Sequence, residues 1–340
     1  MVDLTTSAGF FRRYSLWIVV SIVVLIVILS LSMNRAAIQK ALFPPKPLPA
    51  TVAFGILPKF DLNFGNKPTG SITYTLQTVS DELPILPTTA KVFAMGQNKA
   101  SFSTPDVIKE KAGNLNFATE PEISGTKMKF TDQKGRTLTA DVISGNMKLI
   151  TTYLNDPDIL TTRPDSVEQV KKQATDFFET AGLNPFNYPE NKIEIKYYRL
   201  DGGSLNETSS LSNANLVGIN YQMGDIDKIP VYTVDTGRNS VFALASQKNL
   251  VEATFEPLNV DKGLFATYPL KDISLAYEEL KTGNAVFNKP NNGSGLIVSS
   301  VSLGYLANPS ASYLIPVYVF DLGNPLLAFV PAVDASWIQH

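Results

Sequence analysis

Apolar and polar residues alternate with a period of two over much of this 340-residue chain. Residues 71–76, 126–130 and 138–142 show the alternation clearly, and it is typical of strands with one buried face. Residues 132–135 (DQKG) separate the last two runs, and the glycine permits the positive φ of a hairpin turn. The pattern predicts antiparallel β-structure over most of residues 51–153.

Three segments follow the helical period instead. Residues 103–113 carry a Ser/Thr cap, an early proline and a closing glycine, which predict a short helix. Residues 167–181 place apolar side chains on one face after the capping candidates Asp165 and Ser166. Residues 272–281 show the same pattern, and a glycine follows both segments. Strands are predicted to follow these two helices at 193–200, 216–223, 229–234, 240–245, 296–305, 313–320 and 326–333.

The N-terminal region has a different pattern. Residues 16–33 contain no charged side chain, and a helix of this length measures about 27 Å, close to a bilayer core of ~30 Å. A cleaved signal peptide is the alternative, but its apolar region is shorter and a small-x-small site follows it. We predict a cytoplasmic tail at 1–15, a transmembrane anchor at 16–36 and a proline-rich linker at 37–50, with the rest extracytoplasmic at the cell membrane.

One motif occurs twice in the outer region, at an offset of 86 residues. Residues 229–237 read IPVYTVDTG, and residues 315–323 read IPVYVFDLG. A repeat of this kind indicates a supersecondary unit that is used more than once. A proline cannot donate to a strand ladder, so the motif indicates either a packing and turn signature or an edge that accepts a peptide strand. The second interpretation makes four residues candidates for interaction: Pro230, Tyr232, Pro316 and Tyr318.

Two serines of the predicted anchor form a further candidate interaction site. Ser21 and Ser32 are 11 residues apart, close to three helical turns, so they share one helix face. Small polar residues allow helices to approach closely in lipid. The alternative is that serine is simply tolerated in a membrane helix.

Composition and charge restrict the chemistry. The chain has 29 basic and 31 acidic residues, and this balance disfavours a nucleic-acid binder. It contains no cysteine, which excludes disulfides, thiolate metal sites and cysteine nucleophiles. Its one histidine is the last residue, His340, which excludes a Ser-His triad and a histidine-cluster metal site. We predict no cofactor and no resident metal.

Two weak chemical patterns remain. Residues 124–127 (SGTK) match the Ser-x-x-Lys pattern of a histidine-free dyad, but they lie in a turn-to-strand context rather than at a helix start. Two pairs of aspartates offer oxygen ligands for calcium but lack the EF-hand spacing, and we interpret them as turn and cap residues. The pairs are Asp156 with Asp158, and Asp225 with Asp227.

The order of helix and antiparallel strands, with the stretches 303–305 (LGY) and 313–320 (YLIPVYVF), resembles the extracytoplasmic domains of Yyc-type (YycH- and YycI-like) bacterial regulators. The resemblance covers roughly residue 103 to the C-terminus. It implies an α+β fold, in which an N-terminal transmembrane helix precedes repeated helix-plus-antiparallel-sheet units of the PepSY-like kind. Members of that family restrain a sensor histidine kinase, and they often carry Trp where this chain has Tyr232 and Tyr318.

These observations predict the domain organisation and the function. We expect a β-rich domain with a short helix at 51–158 and PepSY-like units at 159–262 and 263–340. The expected function is that of a non-enzymatic regulatory or interaction protein of a bacterial envelope, with a membrane protein or a peptide as partner. The alternatives are a carboxylate-dependent extracytoplasmic hydrolase and an envelope scaffold. Converging carboxylates in a pocket would favour the hydrolase, and an open sheet edge or apolar groove would favour binding.

Overall fold

Strands account for most of the regular structure of the chain. The computed structural model describes residues 49–67, 72–96, 104–183, 188–189, 192–234, 238–291, 293–308, 310–323 and 325–339. Within these ranges the chain forms nineteen β-strands, four α-helices and two short 3₁₀ turns. The strands are β1 Thr73–Leu76, β2 Thr89–Met95, β3 Glu122–Ser124, β4 Lys127–Thr131, β5 Thr137–Asp141, β6 Met147–Ile150, β7 Ile193–Asp201, β8 Ser204–Thr208, β9 Leu216–Tyr221, β10 Val231–Tyr232, β11 Val241–Ala245, β12 Leu250–Phe255, β13 Val260–Pro269, β14 Val286–Phe287, β15 Gly295–Val298, β16 Ser300–Leu306, β17 Tyr313–Leu314, β18 Pro316–Asp321 and β19 Leu327–Pro331.

The helices form where the sequence supplies caps. They are α1 Thr104–Asn114, α2 Pro157–Thr161, α3 Val167–Thr180 and α4 Ile273–Lys281. The Ser166 hydroxyl accepts a hydrogen bond from the Gln169 amide at 3.1 Å, and the carboxylate of Asp272 accepts from the Ser274 amide at 2.8 Å. Side chains of this kind satisfy N–H groups that the first helical turn leaves unpaired. The helices predicted at 103–113, 167–181 and 272–281 are confirmed to within about one residue at each end.

The predicted fold class, an α+β chain in which a transmembrane helix precedes repeated PepSY-like units, is wrong. The described residues are mostly β, with helix limited to four segments. None of these four is both long enough and apolar enough to cross a bilayer. The residues of the predicted anchor, 16–36, and Ser21 and Ser32 within it, lie outside the described residues. The predicted helices of the outer region lie at the expected places, but many of the strands are short and pair with distant segments. Local sequence signals therefore do not show how the strands are shared between sheets, and repeated helix-plus-sheet units are not formed.

The largest sheet has nine antiparallel strands in the order β3-β4-β5-β6-β12-β11-β9-β7-β8. Its centre is the pairing of β6 with β12, which places Leu149 opposite Ala253. This pairing joins the strands that follow α1 to the strands that follow α3, so the sheet crosses the boundary predicted at residue 158. Helices α1 and α3 pack on one face of this sheet, through buried residues such as Ile108 of α1 and Phe178 of α3.

The second sheet has five strands in the order β10-β16-β18-β19-β14. Its pairs are antiparallel except β10 with β16, which run parallel. Helix α4 covers one face, where Ala276 and Leu280 pack with Tyr318 and Phe320. The other face packs Val317 and Val319 into a separate cluster. Both faces are therefore buried, which fits the near-continuous apolar sequence of β18.

The two copies of the repeated motif lie on opposite sides of one strand, β16. In the first copy Val231 pairs with Tyr305, and in the second copy Pro316 pairs with the same Tyr305. The first copy does not pair within the nine-stranded sheet. The strands that precede and follow it in sequence, β9 and β11, are neighbours in that sheet. The copies therefore hold unlike places, a two-residue edge strand and a six-residue inner strand.

Residues 49–67, which we call the N-terminal arm, run along the C-terminal half of the chain. The Thr51 amide donates to the Thr267 carbonyl at 3.0 Å, and the Leu57 amide donates to the Trp337 carbonyl at 2.8 Å. Beyond the arm, β1 pairs in parallel with β15, and β2 is the middle strand of a three-stranded sheet in the order β13-β2-β17. The start and the end of the described chain are thus held together, and residues from Pro49 onward form one compact unit.

Gly304→Ala is expected to destabilise the protein by about 1–3 kcal/mol, because overpacking a filled core costs this much. A Cβ at this position would lie 2.7 Å from Cε2 of Tyr232 and 2.8 Å from Cγ2 of Val319. Gly113→Ala is the matched control, since a Cβ there meets nothing within 4 Å and alanine favours the helix. Urea unfolding of both variants tests this, and a Gly304→Ala variant as stable as Gly113→Ala would contradict the packing.

Candidate functional site

The four candidate residues of the motif lie in the packing of the five-stranded sheet. Tyr318 is 2 % exposed, and its hydroxyl donates to the Lys271 carbonyl at 2.7 Å. Tyr232 is half-buried on the other face, with its ring over Gly304 and its centroid 5.4 Å from that of Phe329. Pro316 is buried and Pro230 half-buried. The geometry gives the two rings a packing role, and their predicted role in interaction stays a prediction.

The Tyr318→Phe variant tests whether the hydroxyl of Tyr318 is buried in the folded state, through the pH dependence of the unfolding free energy. Burial, and then the charge of Asp272, raises the pKa of Tyr318 from 10.0 to about 12. A folded-state pKa above the unfolded value means that the stabilisation is complete below about pH 10 and is lost as the pH rises toward 12. We expect the wild type to lose more unfolding free energy than Tyr318→Phe across that window, as measured by urea unfolding at each pH. Equal losses in both proteins would contradict the assignment.

The other chemical candidates are dispersed. Ser124 and Lys127 face each other across the exposed hairpin of β3 and β4. The carboxylate of Asp227 pairs with Lys91 at 2.7 Å, and that of Asp225 pairs with Lys192. The remaining two aspartates are a cap and an exposed ion-pair partner: Asp156 caps α2, and Asp158 lies 3.5 Å from Lys248. Within the described ranges, no group of three or more His, Cys, Asp or Glu side chains is arranged to hold a metal ion.

Three cavities surround the loop that runs from the end of β16 through β17 to β18. The first, which we call the edge cavity, has a volume of about 210 Å³ and lies between residues 58–61 of the N-terminal arm and loop residues that include Asn308, Tyr313 and Ile315. The second, of about 310 Å³, lies at the end of β2 and shares Ser310 to Ser312 with the edge cavity. The third, of about 210 Å³, shares Asn308 with it.

The edge cavity lies beside a free strand edge. Strand β17 pairs with β2 on one side, with Tyr313 opposite Ala94 and Leu314 opposite Phe93. The Met95 amide donates to the Ser312 carbonyl at 2.8 Å, so Ser312 belongs to a hydrogen-bonded pair. Antiparallel pairs alternate, and the next residue, Tyr313, therefore turns its backbone N–H and C=O away from β2. Strand β17 is the outer strand of its sheet, and Tyr313 also lines the edge cavity. We therefore infer that these two groups lie on the cavity side of β17.

The side chains around the edge cavity are apolar at its base and neutral or mixed in charge at its rim. Leu306 and Ile315 are buried, Phe60 is half-buried, and the exposed Lys59 and Asp61 carry opposite charges. The second cavity has one acidic residue in its lining, Glu256, and the third has none. No two carboxylates converge in any one of these three cavities. Such a lining suits an uncharged or mixed polymer segment rather than a phosphate or a metal ion.

An ionic cluster around a buried carboxylate lies next to the third cavity. Arg238, which lines that cavity, forms an ion pair with Glu252, a residue that is 7 % exposed. The Tyr153 hydroxyl donates to the same carboxylate at 2.7 Å. Burial, and then this hydrogen bond, raises the pKa of Tyr153 to about 12. The ion pair and the hydrogen bond satisfy the carboxylate of Glu252, which would otherwise be buried without a partner. The cluster therefore has a structural role in the nine-stranded sheet, to which Glu252 belongs.

Sequence reasoning missed the cavity loop. Residues 308–312 read NPSAS, a composition that indicates a loop and nothing more. The predicted strand at 313–320 does not show that Tyr313 and Leu314 pair with β2, while residues 316–321 pair with β16 and β19. A change of partner inside one apolar run leaves no mark in the pattern of side chains.

The comparisons with known proteins are sparse. No protein-family model and no curated protein matches the chain. It is similar to an uncharacterized protein from Eubacterium rectale ATCC 33656, with 15 % identity and a TM-score of 0.40 over 77 % of this chain and 88 % of that one. It is also similar to YycH from Bacillus subtilis, with 10 % identity and a TM-score of 0.34 over 72 % of this chain and 53 % of YycH. Likenesses at this level do not establish a family.

Proposed function

We propose that the protein is a non-enzymatic binding protein of the bacterial envelope and that its edge cavity takes up an extended peptide segment of a partner protein. The observation that carries this proposal is the outward-facing backbone of Tyr313 on an edge strand beside an apolar cavity. An extended segment added to a sheet edge gains main-chain hydrogen bonds, and pockets beside the edge select alternate side chains.

The cavity supplies both parts of such a site. The N–H and C=O of Tyr313 are the backbone partners, and one side chain of the added segment would enter the cavity toward Leu306 and Ile315. The hydroxyl and amide groups of Ser310, Ser312 and Asn308 line the same space and suit the polar atoms of a peptide backbone. With only two residues in β17, the number of main-chain bonds is small, so we expect modest affinity and ready exchange.

The partner class we propose is a membrane protein with an extracytoplasmic segment, of which a sensor histidine kinase is the first candidate. Support for this class comes from the sequence resemblance to Yyc-type regulators at residues 303–305 and 313–320. The same resemblance supports a location outside the cytoplasm for the folded part of the chain. Residues 313–315 of that stretch line the edge cavity in part, through Tyr313 and Ile315.

Tyr313→Pro tests the peptide site, and Tyr313→Ala is its matched control. Both variants lose the ring, whose centroid lies 5.0 Å from that of Phe54, but only the proline variant loses the outward N–H. Proline is tolerated at an edge position whose N–H does not pair within the sheet. A photo-crosslinking residue in place of the exposed Lys59, at the cavity rim, reports occupancy in intact cells.

We expect the crosslinked adduct to persist in Tyr313→Ala and to fall at least about fivefold in Tyr313→Pro, since loss of a main-chain hydrogen bond in a weak complex costs about 1 kcal/mol or more. The thermal midpoints of the two variants serve as the control for folding. Sequencing of the adduct must identify one partner segment. Equal adduct yields in the two variants would contradict binding through the strand edge.

A further inference from the structure

The strand β13 has a projecting tip at residues 261–265. Its pairing with β2 shifts between Val260, which is opposite Met95, and Phe265, which is opposite Phe93. The residues between them cannot all join the ladder, so they bulge out of the sheet. Two large apolar side chains are displayed there, with Leu264 52 % exposed and Phe265 42 % exposed.

The tip has a fixed shape. The Asp261 carboxylate accepts hydrogen bonds from the amides of Gly263 at 2.9 Å and Leu264 at 3.2 Å. Behind it, Nζ of Lys91 lies 4.2 Å from the ring centroid of Phe265 and 2.7 Å from the carboxylate of Asp227. A held turn that presents Leu and Phe to solvent keeps its apolar surface exposed because the chain cannot fold it back.

Cations accompany the exposed apolar pair. Lys262 lies on the tip itself, and Lys228 follows Asp227 in the adjacent turn; both are exposed. Neither lysine has an ion-pair partner in the part of the chain that the structure describes. The nearby carboxylates of Asp225 and Asp227 are already paired with Lys192 and Lys91. The carboxylate of Asp261, on the tip itself, accepts hydrogen bonds from two amides of the tip.

Pro49, the first residue of the N-terminal arm, is hydrogen-bonded to the strand that carries the tip. The carbonyl of Pro49, the first described residue, accepts a hydrogen bond from the Thr267 hydroxyl at 2.5 Å, two residues beyond Phe265. The 48 residues before Pro49 end in a stretch, 34–48, that contains Arg35, Lys40 and Lys46 and no acidic residue. The sequence that directly precedes Pro49 therefore carries a net positive charge.

We propose that the tip, residues 261–265, makes a peripheral contact with the surface of an anionic lipid bilayer. Leu264 and Phe265 would enter the boundary between headgroups and acyl chains, while Lys262 and Lys228 would lie among anionic headgroups. A convex apolar point flanked by lysines fits a deformable surface better than a protein pocket, which requires a concave match. The contact belongs to the described residues and is independent of the peptide site proposed for the edge cavity.

The absence of cysteine from the chain makes a direct test simple, because one introduced cysteine is the only labelling site. In the full-length protein, Gly263→Cys takes an environment-sensitive fluorophore at the tip; a Cβ there meets only the Asp261 side chain, at 3.3 Å. The control is Ile123→Cys, at a 70 % exposed apolar residue on the edge of the nine-stranded sheet. Quenching by lipids that carry a nitroxide in the upper acyl chain then reports depth.

With vesicles of phosphatidylglycerol and phosphatidylethanolamine, we expect the label at 263 to be quenched at least about twofold more than the label at 123. Leu264→Ser with Phe265→Ser should reduce quenching at 263 to the level of the control, and neutral phosphatidylcholine vesicles should reduce it as well. Both labelled proteins carry the same residues 1–48, so any binding through that segment is present in both. Equal quenching at the two sites, or quenching at 263 that survives the double substitution or is unchanged in neutral vesicles, would overturn the proposal.

Discussion

The parallel pairing of β10 with β16 connects the nine-stranded and five-stranded sheets. The Tyr305 amide donates to the Pro230 carbonyl, and the Ala307 amide donates to the Tyr232 carbonyl, each at 2.9 Å. To reach this position the chain reverses at residues 226–229, where Asp227 and Lys228 both have positive φ, as in a type I′ turn. Residues other than glycine are strained there, and the ion pair of Asp227 with Lys91 helps to hold the turn.

The packing of this region depends on the same crossing. Tyr232 reaches over β16 only because residue 304 is a glycine, and the ring then contacts Phe329 on the far side of β18. On the opposite face of β10, Val231 joins the core of the nine-stranded sheet together with Tyr305 and Leu314. The end of β16 is thereby fixed on both faces. The loop that follows, with its three cavities and the free edge of β17, starts from a rigid strand.

Local features of the fold could be predicted from the sequence, and non-local ones could not. Ser166 and the apolar face of α3 predict that helix, and the alternation in residues 126–130 predicts β4, because both signals arise within a few residues. The strand predicted at 229–234 is reduced to Val231–Tyr232, because this segment crosses between sheets instead of joining its sequence neighbours. The two copies of the motif have nearly the same local sequence, so neither copy indicates which strand it pairs with.

The candidate site shows the same division. The charge balance and the lack of cysteine and of internal histidine lead to the prediction of a binding protein, which stays a prediction. The three cavities around the loop have few acidic residues in their linings. The positions of the site were not predictable, since the edge cavity brings residues 58–61 to residues 306–315 across almost the whole described chain. The prolines of the motif indicate strand edges, yet the open backbone edge lies at Tyr313, two residues before the second IPVY copy.

Amide hydrogen exchange tests the crossing most directly. If β10 pairs stably with β16, the amides of Tyr305 and Ala307 exchange only when the whole protein unfolds, at the same free energy as amides within the β16–β18 ladder. Exchange of these two amides at rates orders of magnitude faster than those of β18, under conditions where the ladder stays protected, would show that the crossing is not formed and would contradict the account.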